Sequence, residues 1–219
     1  HFGQQQNPAY ISFVEKLTRD IKSGKLPSNI LFDILTCCHE VIVKTDPITK
    51  EKTFNASSPD ELAILKFSTD IGYDFEGFDD SSLEMVVKNV YTGKTHRFKR
   101  LCMFRFTSDR SRMSVIVRDM QNGKHFLFLK GADHVVSARA RVYQGFSKEE
   151  VLYNLQDYSS VGLRTLMYAF KELGENETKE ILEKVKEIER IVGHEKERKV
   201  SIDPKNPRWP SLPARSSRI

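Results

Sequence analysis

Long apolar runs are missing from this sequence of 219 residues, in which hydrophobic residues make up 39% and charged residues 30%. No run approaches the roughly 18 residues of a bilayer-spanning helix, and no apolar segment near the start indicates a signal peptide. The first residue is not methionine, so we expect a piece excised from a longer chain. The composition itself is typical of a globular domain with a proper core.

Cysteine is scarce, and the three cysteines are Cys37, Cys38 and Cys102. An odd number with two adjacent members is no disulfide framework and indicates a reducing compartment. A metal site at Cys37, Cys38 and His39 is disfavoured, because adjacent side chains on a helix diverge and no second ligand pair follows. We interpret Cys37 and Cys38 as helix-packing residues, since free cysteine behaves as a small buried hydrophobe.

Acidic residues are slightly outnumbered, which gives a net charge of +5. Residues 193–219 contain seven Lys/Arg and three Asp/Glu, whereas residues 1–192 contain 28 and 27. A nucleic-acid-binding domain usually concentrates its basic charge on a folded face. We therefore expect no nucleic-acid partner and interpret residues 193–219 as a basic flexible tail, truncation-derived or artificially added. A basic α+β nucleic-acid-binding module remains the alternative from a different class.

The sequence motifs of glycine-rich phosphate-binding loops and of the nucleophile elbow of α/β-hydrolases are also missing. Neither G-x-G-x-x-G nor G-x-S-x-G occurs in the sequence. The segment "TGKT" at residues 92–95 resembles the end of a Walker loop, but Lys88 stands where that loop needs glycine, five residues before Gly93. Because this segment also joins two predicted strands, we interpret it as a turn.

Hydrophobic periodicity and turn residues predict an α+β fold, with an antiparallel sheet of about six strands flanked by helices. A hairpin is predicted over residues 41–56. The predicted helices cover residues 8–22, 28–42, 57–72, 147–162 and 176–192, and a further helix begins at about residue 131. The predicted sheet strands are residues 73–78, 83–90, 95–106, 112–120, 124–130 and 163–173.

Two helix starts carry strong local signals. Ser57 or Ser58 can serve as the N-cap before Pro59, and acids follow in the first turn, where the helix dipole favours them. Ser147 with Glu150 three residues later is the pattern of a capping box.

Four blocks occur in series along the chain: "CCHEVI" followed by "ASSPDELAIL", then "RFTSDRSRMSVIVR", then "FLKGAD" and then "SSVGLRTLMYAF". Together they resemble the nucleotide-binding (N) domain of P-type ATPases, specifically of the type IV eukaryotic phospholipid flippases. The resemblance covers about residues 28–172 and implies a P-type ATPase N-domain-like fold. The N domain of a cation-transporting P-type ATPase is the alternative within this class, but "SPDELAIL" and "RMSVIVR" favour the flippase. Ser111 departs from the family, which usually has a basic residue there.

The resemblance implies a site for ATP. Phe106 would stack on the adenine ring, and Glu61 would accept a hydrogen bond from the adenine amino group. Lys130 would line the pocket and Arg164 would reach the ribose and phosphates, since the arginine fork suits oxyanions. Three further residues support these contacts or let the backbone approach the ligand: Ser108, Arg112 and Gly131.

Each of these residues also has an ordinary structural interpretation. Phe106 would be a core residue, Glu61 would only favour its helix dipole, and Lys130 would be a solvated strand end. Arg164 would pair with an exposed acid, and Arg112 would belong to a solvent-facing row with Arg110. The series of motifs, rather than any single residue, favours the nucleotide site.

The resemblance also implies a domain organisation. Residues 1–27 would be an N-terminal linker or helix from the hinge with the phosphorylation domain, and residues 28–192 the nucleotide-binding domain. The fragment lacks "DKTGT" and the other pump motifs, so we expect it to contain no catalytic or metal-binding residue and to bind ATP without hydrolysing it. Mg²⁺ would be held mainly by the absent phosphorylation domain.

The expected partners are ATP, the phosphorylation and actuator domains of the same full-length chain, and an accessory subunit. Phospholipid would be met only through the absent membrane domain. The resemblance therefore places this soluble domain at the cytoplasmic face of a membrane, inside an ATP-hydrolysing translocase. A pure scaffold is the third possibility, and it predicts no response to nucleotide.

Overall fold

A computed structural model describes residues 12, 15–16, 18–19, 22, 29–46, 48–49, 51–56, 58–141 and 147–191. The described residues between 12 and 22 are helical, in agreement with the helix predicted there. The other residues of the predicted N-terminal linker, and the predicted tail over residues 193–219, lie outside the described residues.

Helices and strands follow the predicted order along the chain. The helices are α1 (Asn29–Cys37), α2 (Pro59–Asp70), α3 (Asp133–Ser137), α4 (Lys148–Ser160) and α5 (Glu175–Ile191). The strands are β1 (Ile42–Thr45), β2 (Lys52–Asn55), β3 (Tyr73–Asp79), β4 (Glu84–Asn89), β5 (Thr95–Thr107), β6 (Arg112–Asp119), β7 (His125–Gly131) and β8 (Met167–Leu173).

Six strands form one sheet in the order β3–β4–β5–β6–β7–β8, and β1 pairs with β2 in a separate antiparallel hairpin. Every strand of the larger sheet therefore lies beside its neighbour in sequence, and each pair with a defined register is antiparallel. The predicted α+β fold, an antiparallel sheet of about six strands flanked by helices, is confirmed.

The chain divides into two compact units. The first contains the described residues up to Arg100 together with Asp119–Gly123. Its core combines Phe32 of α1, Leu65 of α2 and Phe75 of β3, all of them at most 1% exposed. Cys37 and Cys38 are buried free thiols in this unit, as expected of helix-packing cysteines.

The second unit contains residues 101–118 and the described residues from Lys124 onward. Strand β6 is its most buried element, because every residue from Arg112 to Val117 is buried. On one face of the sheet, Val136 of α3 packs against Leu129 and Met167, and residues of α4 join this cluster. Helices α3 and α4 therefore cover this face of strands β7 and β8.

The end of α1 differs from the prediction, which continued this helix to residue 42. The helix ends at Cys37 because His39 supplies the hydrogen bonds that stop it. Its Nε2 donates to the carbonyl oxygen of Thr36 at 2.8 Å, and its Nδ1 accepts from the N–H of Val41 at 3.1 Å. A side chain that satisfies both a helix-end carbonyl and a following N–H leaves no need for another helical turn.

The last strand begins at Met167, four residues later than predicted, because α4 closes with a Schellman motif. The N–H of Leu163 donates to the carbonyl oxygen of Tyr158 at 3.1 Å, and the N–H of Gly162 donates to the carbonyl oxygen of Ser159 at 2.9 Å. Gly162 has φ +79°, the left-handed conformation that this motif requires. Residues 163–164 therefore continue away from the helix end before the strand starts.

The N-terminus of α4 has the predicted capping box. Ser147 Oγ accepts from the N–H of Glu150 at 3.1 Å, and Glu150 Oε2 accepts from the N–H of Ser147 at 2.6 Å. Ser58 also occupies the N-cap position of α2 before Pro59, but its side chain makes no capping hydrogen bond.

Ser147→Ala should lower the free energy of unfolding by about 1 kcal/mol, because it removes one half of a reciprocal cap. Ser160→Ala, near the other end of the same helix, is the matched control and should change stability by less than about 0.5 kcal/mol. Urea unfolding followed by circular dichroism measures both variants. Equal effects of the two substitutions would contradict the capping role.

A buried acid lies in the core of the first unit. Asp33 on α1 is 6% exposed, and its Oδ1 lies 3.6 Å from Nδ1 of His96. This is longer than a hydrogen bond, and Oδ1 has no hydrogen-bond partner among the described residues. The other ring nitrogen of His96 lies 2.9 Å from Asp119 Oδ1. Burial, and then the nearby charge of Asp119, raise the pKa of Asp33 well above its usual value.

The native protein binds the proton of the Asp33 carboxyl group more tightly than the unfolded chain does. Loss of this proton as the pH increases therefore lowers the free energy of unfolding. We expect Asp33→Asn to gain stability relative to the native protein as the pH rises above about 4, the usual carboxyl range. Urea unfolding between pH 4 and 7.5 measures this difference.

Asp79→Asn provides a control of opposite sign. Hydrogen bonds from the Ser81 and Ser82 side chains, then from the Ser81 backbone, lower the pKa of Asp79 to about 2. Asp79→Asn should therefore be less stable at neutral pH, and the loss should shrink as the pH falls below about 4. Parallel pH profiles for the two variants would contradict this account of the Asp33 environment.

No helix among the described residues is both long and apolar enough to cross a membrane.

Candidate functional site

Phe106 occupies the next-to-last position of β5 and is 57% exposed. Within the described part of the chain it is the only exposed phenylalanine. Phe98, further back on the same strand, is completely buried. The alternative that Phe106 is a core residue is therefore wrong, and its ring is available to a ligand.

The turn after Phe106 is fixed by several hydrogen bonds. The N–H of Ser111 donates to the carbonyl oxygen of Thr107 at 2.8 Å, and Ser111 Oγ donates to the carbonyl oxygen of Ser108 at 2.8 Å. Ser111 has φ +48°, in a region that non-glycine residues enter rarely. Ser108 itself is exposed. Ser111 thus contributes a side-chain hydrogen bond within the turn.

This turn meets the "KGAD" segment directly. The carbonyl oxygen of Ser111 accepts from the N–H of Ala132 at 3.0 Å, and Arg112 pairs with Gly131 in the ladder between β6 and β7. A Cβ atom on Gly131 would lie 2.5 Å from the Ser111 oxygen and 2.8 Å from the Arg112 Cα. The fold therefore requires glycine at position 131, because a residue with a Cβ atom could not make this close backbone contact.

Lys130 lies between two residues of neighbouring strands. It pairs with Met113 of β6 and with Tyr168 of β8, and directly paired residues share a face of the sheet. Lys130 is 8% exposed, so it is not a freely solvated strand end. Tyr168 is a neighbour that sequence reasoning missed, because only the register of β8 reveals it.

Arg112 projects from the opposite face. It pairs with Gly131 rather than Lys130, and successive residues of a strand alternate between faces. Arg112 is 5% exposed, and its Nη1 donates to the carbonyl oxygen of Arg110 at 2.9 Å. Burial, followed by the charges of Arg139 and Arg110, lowers its pKa to about 10. The interpretation of Arg112 as part of a solvent-facing row is therefore wrong. Its hydrogen bond to Arg110 indicates instead that Arg112 supports the turn.

Arg164 is exposed in the segment between α4 and β8. The Schellman motif at Gly162 fixes the chain just before it. Arg164 therefore lies on a short connection with α4 at one end and β8 at the other.

Glu61 belongs to the first unit, where it lies in the first turn of α2. It is 9% exposed, and its Oε2 accepts from the N–H of Glu40 at 3.1 Å. The carboxylate thus does more than favour the helix dipole, because it also fixes the chain that follows α1. No local sequence pattern indicates this long-range contact. The other predicted residues, from Phe106 to Arg164, belong to the second unit.

Metal-binding clusters of three or more His, Cys, Asp or Glu side chains do not occur among the described residues.

Comparison with known proteins identifies the family of this chain. Residues 28–197 match the family described as "P-type ATPase, cytoplasmic domain N". A probable phospholipid-transporting ATPase of Arabidopsis thaliana is 33% identical over 76% of this chain, which corresponds to 14% of that relative. A phospholipid-transporting ATPase of Schizosaccharomyces pombe is 34% identical over 77% of this chain and 13% of its own length.

A third relative, a phospholipid-transporting ATPase of Chaetomium thermophilum, is 37% identical over 67% of this chain and 9% of its own length. The chain thus spans a small part of the relatives that it matches. The family match covers most of the described residues, including the strands that carry Phe106 and Lys130. The chain belongs to the family of P-type ATPase cytoplasmic N domains.

Proposed function

We propose that this chain is the ATP-binding domain of a phospholipid-translocating P-type ATPase. It holds the adenine end of ATP and presents the γ-phosphate to a phosphorylatable aspartate on a separate domain. Positioning of this kind accounts for much of the catalysis of phosphoryl transfer. The chain itself contributes binding and orientation, and hydrolysis belongs to the complete protein.

The exposure of Phe106 is the observation that carries this proposal. A phenylalanine that is 57% exposed next to an ordered turn offers a flat π-face to a planar ligand. Stacking of a base on an aromatic side chain contributes about 1 to 3 kcal/mol. A purine gains both this stacking and the burial of the exposed ring surface.

Polar groups of the second unit suit the rest of the nucleotide. Lys130 lies on the strand that pairs with β6 just after the turn that follows Phe106, and its ammonium group can meet the adenine ring or the phosphates. Arg164 offers an exposed guanidinium for the ribose and phosphate side. Ser108, Arg112 and Gly131 set the turn and its contact with β7. Glu61 remains a proposed acceptor for the adenine amino group, on the basis of the family resemblance.

The relatives' names carry the proposal from nucleotide binding to lipid transport. They are phospholipid-transporting ATPases from a plant and two fungi. The phosphorylation and actuator domains, an accessory subunit and the lipid itself would meet the complete protein rather than this chain. Mg²⁺ would be supplied with the phosphorylation domain, and this chain would lie at the cytoplasmic face of the membrane.

A titration followed by ¹H–¹⁵N NMR tests the proposal with ATP, adenosine and tripolyphosphate. We expect ATP and adenosine to shift the amides around Phe106 and Lys130, with a Kd for ATP of about 0.1 to several mM. Tripolyphosphate alone should leave the aromatic ring signals of Phe106 unchanged, whereas ATP and adenosine should shift them. A scaffold would give no shift with any of the three, and a nucleic-acid-binding module would instead show a steep salt dependence with DNA or RNA.

Lys130→Met should weaken ATP binding by about tenfold, because one charge-assisted contact of about 1.5 kcal/mol is lost while the side-chain volume is kept. Lys124→Met is the matched control just before the same strand. Lys124 pairs with Glu172 at 3.1 Å, and both side chains are about half exposed. Calorimetry with ATP measures both variants, and an equal loss in both would argue against a specific role of Lys130.

A further inference from the structure

Three arginines of the second unit gather on the face of the sheet opposite Lys130. Arg112 projects from that face because it pairs with Gly131. Helix α3 packs on the same face through Val136, Leu129 and Met167. Arg139 follows α3 directly, and its N–H donates to the carbonyl oxygen of Val136 at 2.9 Å.

Each guanidinium group of this arginine cluster (Arg110, Arg112 and Arg139) is fixed by neutral acceptors. Arg110 donates to the Arg105 carbonyl oxygen at 2.7 Å and to Ser114 Oγ at 3.3 Å. Arg112 donates to the Arg110 carbonyl oxygen at 2.9 Å, and Arg139 donates to the Val135 carbonyl oxygen at 2.7 Å. Every guanidinium carries five N–H groups, so these acceptors occupy only a minority of the available donors.

Within the described part of the chain, the charge of the cluster is not neutralised by ion pairs. Among the described residues, no carboxylate lies within ion-pair distance of Arg110, Arg112 or Arg139. Asp133, the first acid of α3, instead contacts His134 at 3.4 Å. Arg112 is also too buried, at 5% exposure, for water to compensate its charge fully.

The electrostatic environment agrees with this geometry. Burial and the charge of Arg139 lower the pKa of Arg110, and burial, Arg139 and Arg110 lower the pKa of Arg112. The three positive charges therefore disfavour one another. An anion bound among them would relieve this repulsion, and the fixed guanidinium groups would lose little conformational entropy on binding it.

We propose that Arg110, Arg112 and Arg139 form a binding site for a phosphate monoester or inorganic phosphate dianion. Planar guanidinium forks match the oxygen geometry of phosphate and can hold it with paired hydrogen bonds. Arg110 and Arg139 are only partly buried, which leaves the ligand a way in from solvent. The site lies on the other face of the β6–β7 ladder from Lys130, so it is separate from the proposed nucleotide contacts of that residue.

Titration of the 219-residue chain with inorganic phosphate tests the site, at a pH where phosphate is mainly a dianion and at constant ionic strength. We expect saturable shifts of the arginine Nε–H signals and of the amides in residues 108–114 and 132–140, with a Kd of about 1 to 10 mM. Arg139→Gln should weaken binding by about tenfold, the effect of losing one charge-assisted contact.

Lys184→Gln removes the same charge from an exposed position on α5 and should leave the affinity for phosphate unchanged. Circular dichroism checks that the variants fold, and if Arg139→Gln does not, Arg110→Gln replaces it with the same expectation. Phe106→Ala should retain phosphate binding, so a failure of the proposed nucleotide site is distinguishable from a failure of this one.

Vesicles distinguish the two sources of such a phosphate group. Co-sedimentation with phosphatidylcholine vesicles only when they contain phosphatidic acid, and only with Arg139 present, would assign the site to a lipid headgroup. Saturable binding of free phosphate without vesicle binding would assign it to a soluble ligand. If the phosphate shifts are non-saturable or unaffected by Arg139→Gln, and vesicle binding does not depend on Arg139, the proposal is overturned.

Discussion

Phe106→Ala should weaken ATP binding by about 10- to 100-fold, which would place it beyond detection for a domain that binds in the millimolar range. The reason is that the substitution removes the only exposed phenylalanine ring among the described residues. Stability should change little, because more than half of this ring already faces solvent and its removal leaves no buried cavity. Calorimetry with ATP and thermal unfolding together separate the two effects.

Tyr153→Ala supplies the control for Phe106→Ala. Tyr153 is an exposed aromatic residue of the same unit, on α4, and is 72% exposed. Its removal should leave ATP binding intact. A comparable loss in both variants would indicate that ATP associates with exposed aromatic surface in general, and unchanged binding in Phe106→Ala would exclude stacking on this ring.

Gly131→Ala should strongly destabilise the fold. The added Cβ would lie 2.5 Å from the Ser111 carbonyl oxygen and 2.8 Å from both Cα and Cβ of Arg112. These atoms lie in or next to the backbone at the start of β6, which is paired with β7. No flexible side chain can therefore move aside to make room for the added Cβ. Overpacking of this kind costs about 2 to 3 kcal/mol, which corresponds to a fall in Tm of about 5 to 10 °C for a domain of this size.

Gly174→Ala is the matched control, since a Cβ there would meet nothing within 4 Å and φ is not in the left-handed region. Its Tm should stay within about 2 °C of the native value, as for a surface substitution. The ATP affinity of folded Gly131→Ala should also fall, because the strand that carries Lys130 must move. A Tm equal to that of Gly174→Ala would contradict the close contact between β6 and β7.

Local sequence signals predicted the fold well where a single element decides the outcome. The capping box of Ser147 and Glu150, the helix start at Pro59 and the six sheet strands were all confirmed. Each depends on residues adjacent in sequence, so the pattern alone contains the physical cause. The same holds for the buried cysteines near the end of α1.

Other features depend on contacts between distant segments and were not accessible from the sequence. The early end of α1 depends on the particular ring orientation of His39, which no periodicity encodes. The Schellman motif, after which β8 begins later in the sequence than predicted, is visible only once the hydrogen bonds to Tyr158 and Ser159 are known. Strand register likewise decides that Arg112 and Lys130 project from opposite faces.

The candidate site shows the same division. The motif series identified Phe106 and Lys130 as ligand-facing candidates, but exposure of the first and the strand neighbours of the second come from the structure. The arginine cluster had no motif at all, because Arg139 follows α3 and is distant in sequence from Arg110 and Arg112. A sequence pattern can identify residue types that suit a ligand, whereas their grouping requires the fold.

The central claim is that the ring of Phe106 receives the adenine base. Intermolecular nuclear Overhauser effects between the H2 and H8 protons of bound ATP and the aromatic protons of this chain test it most directly. We expect effects to the Phe106 ring that disappear in Phe106→Ala while Tyr153→Ala retains them. Adenine protons that contact other side chains, with no effect at Phe106 under saturating ATP, would contradict the account.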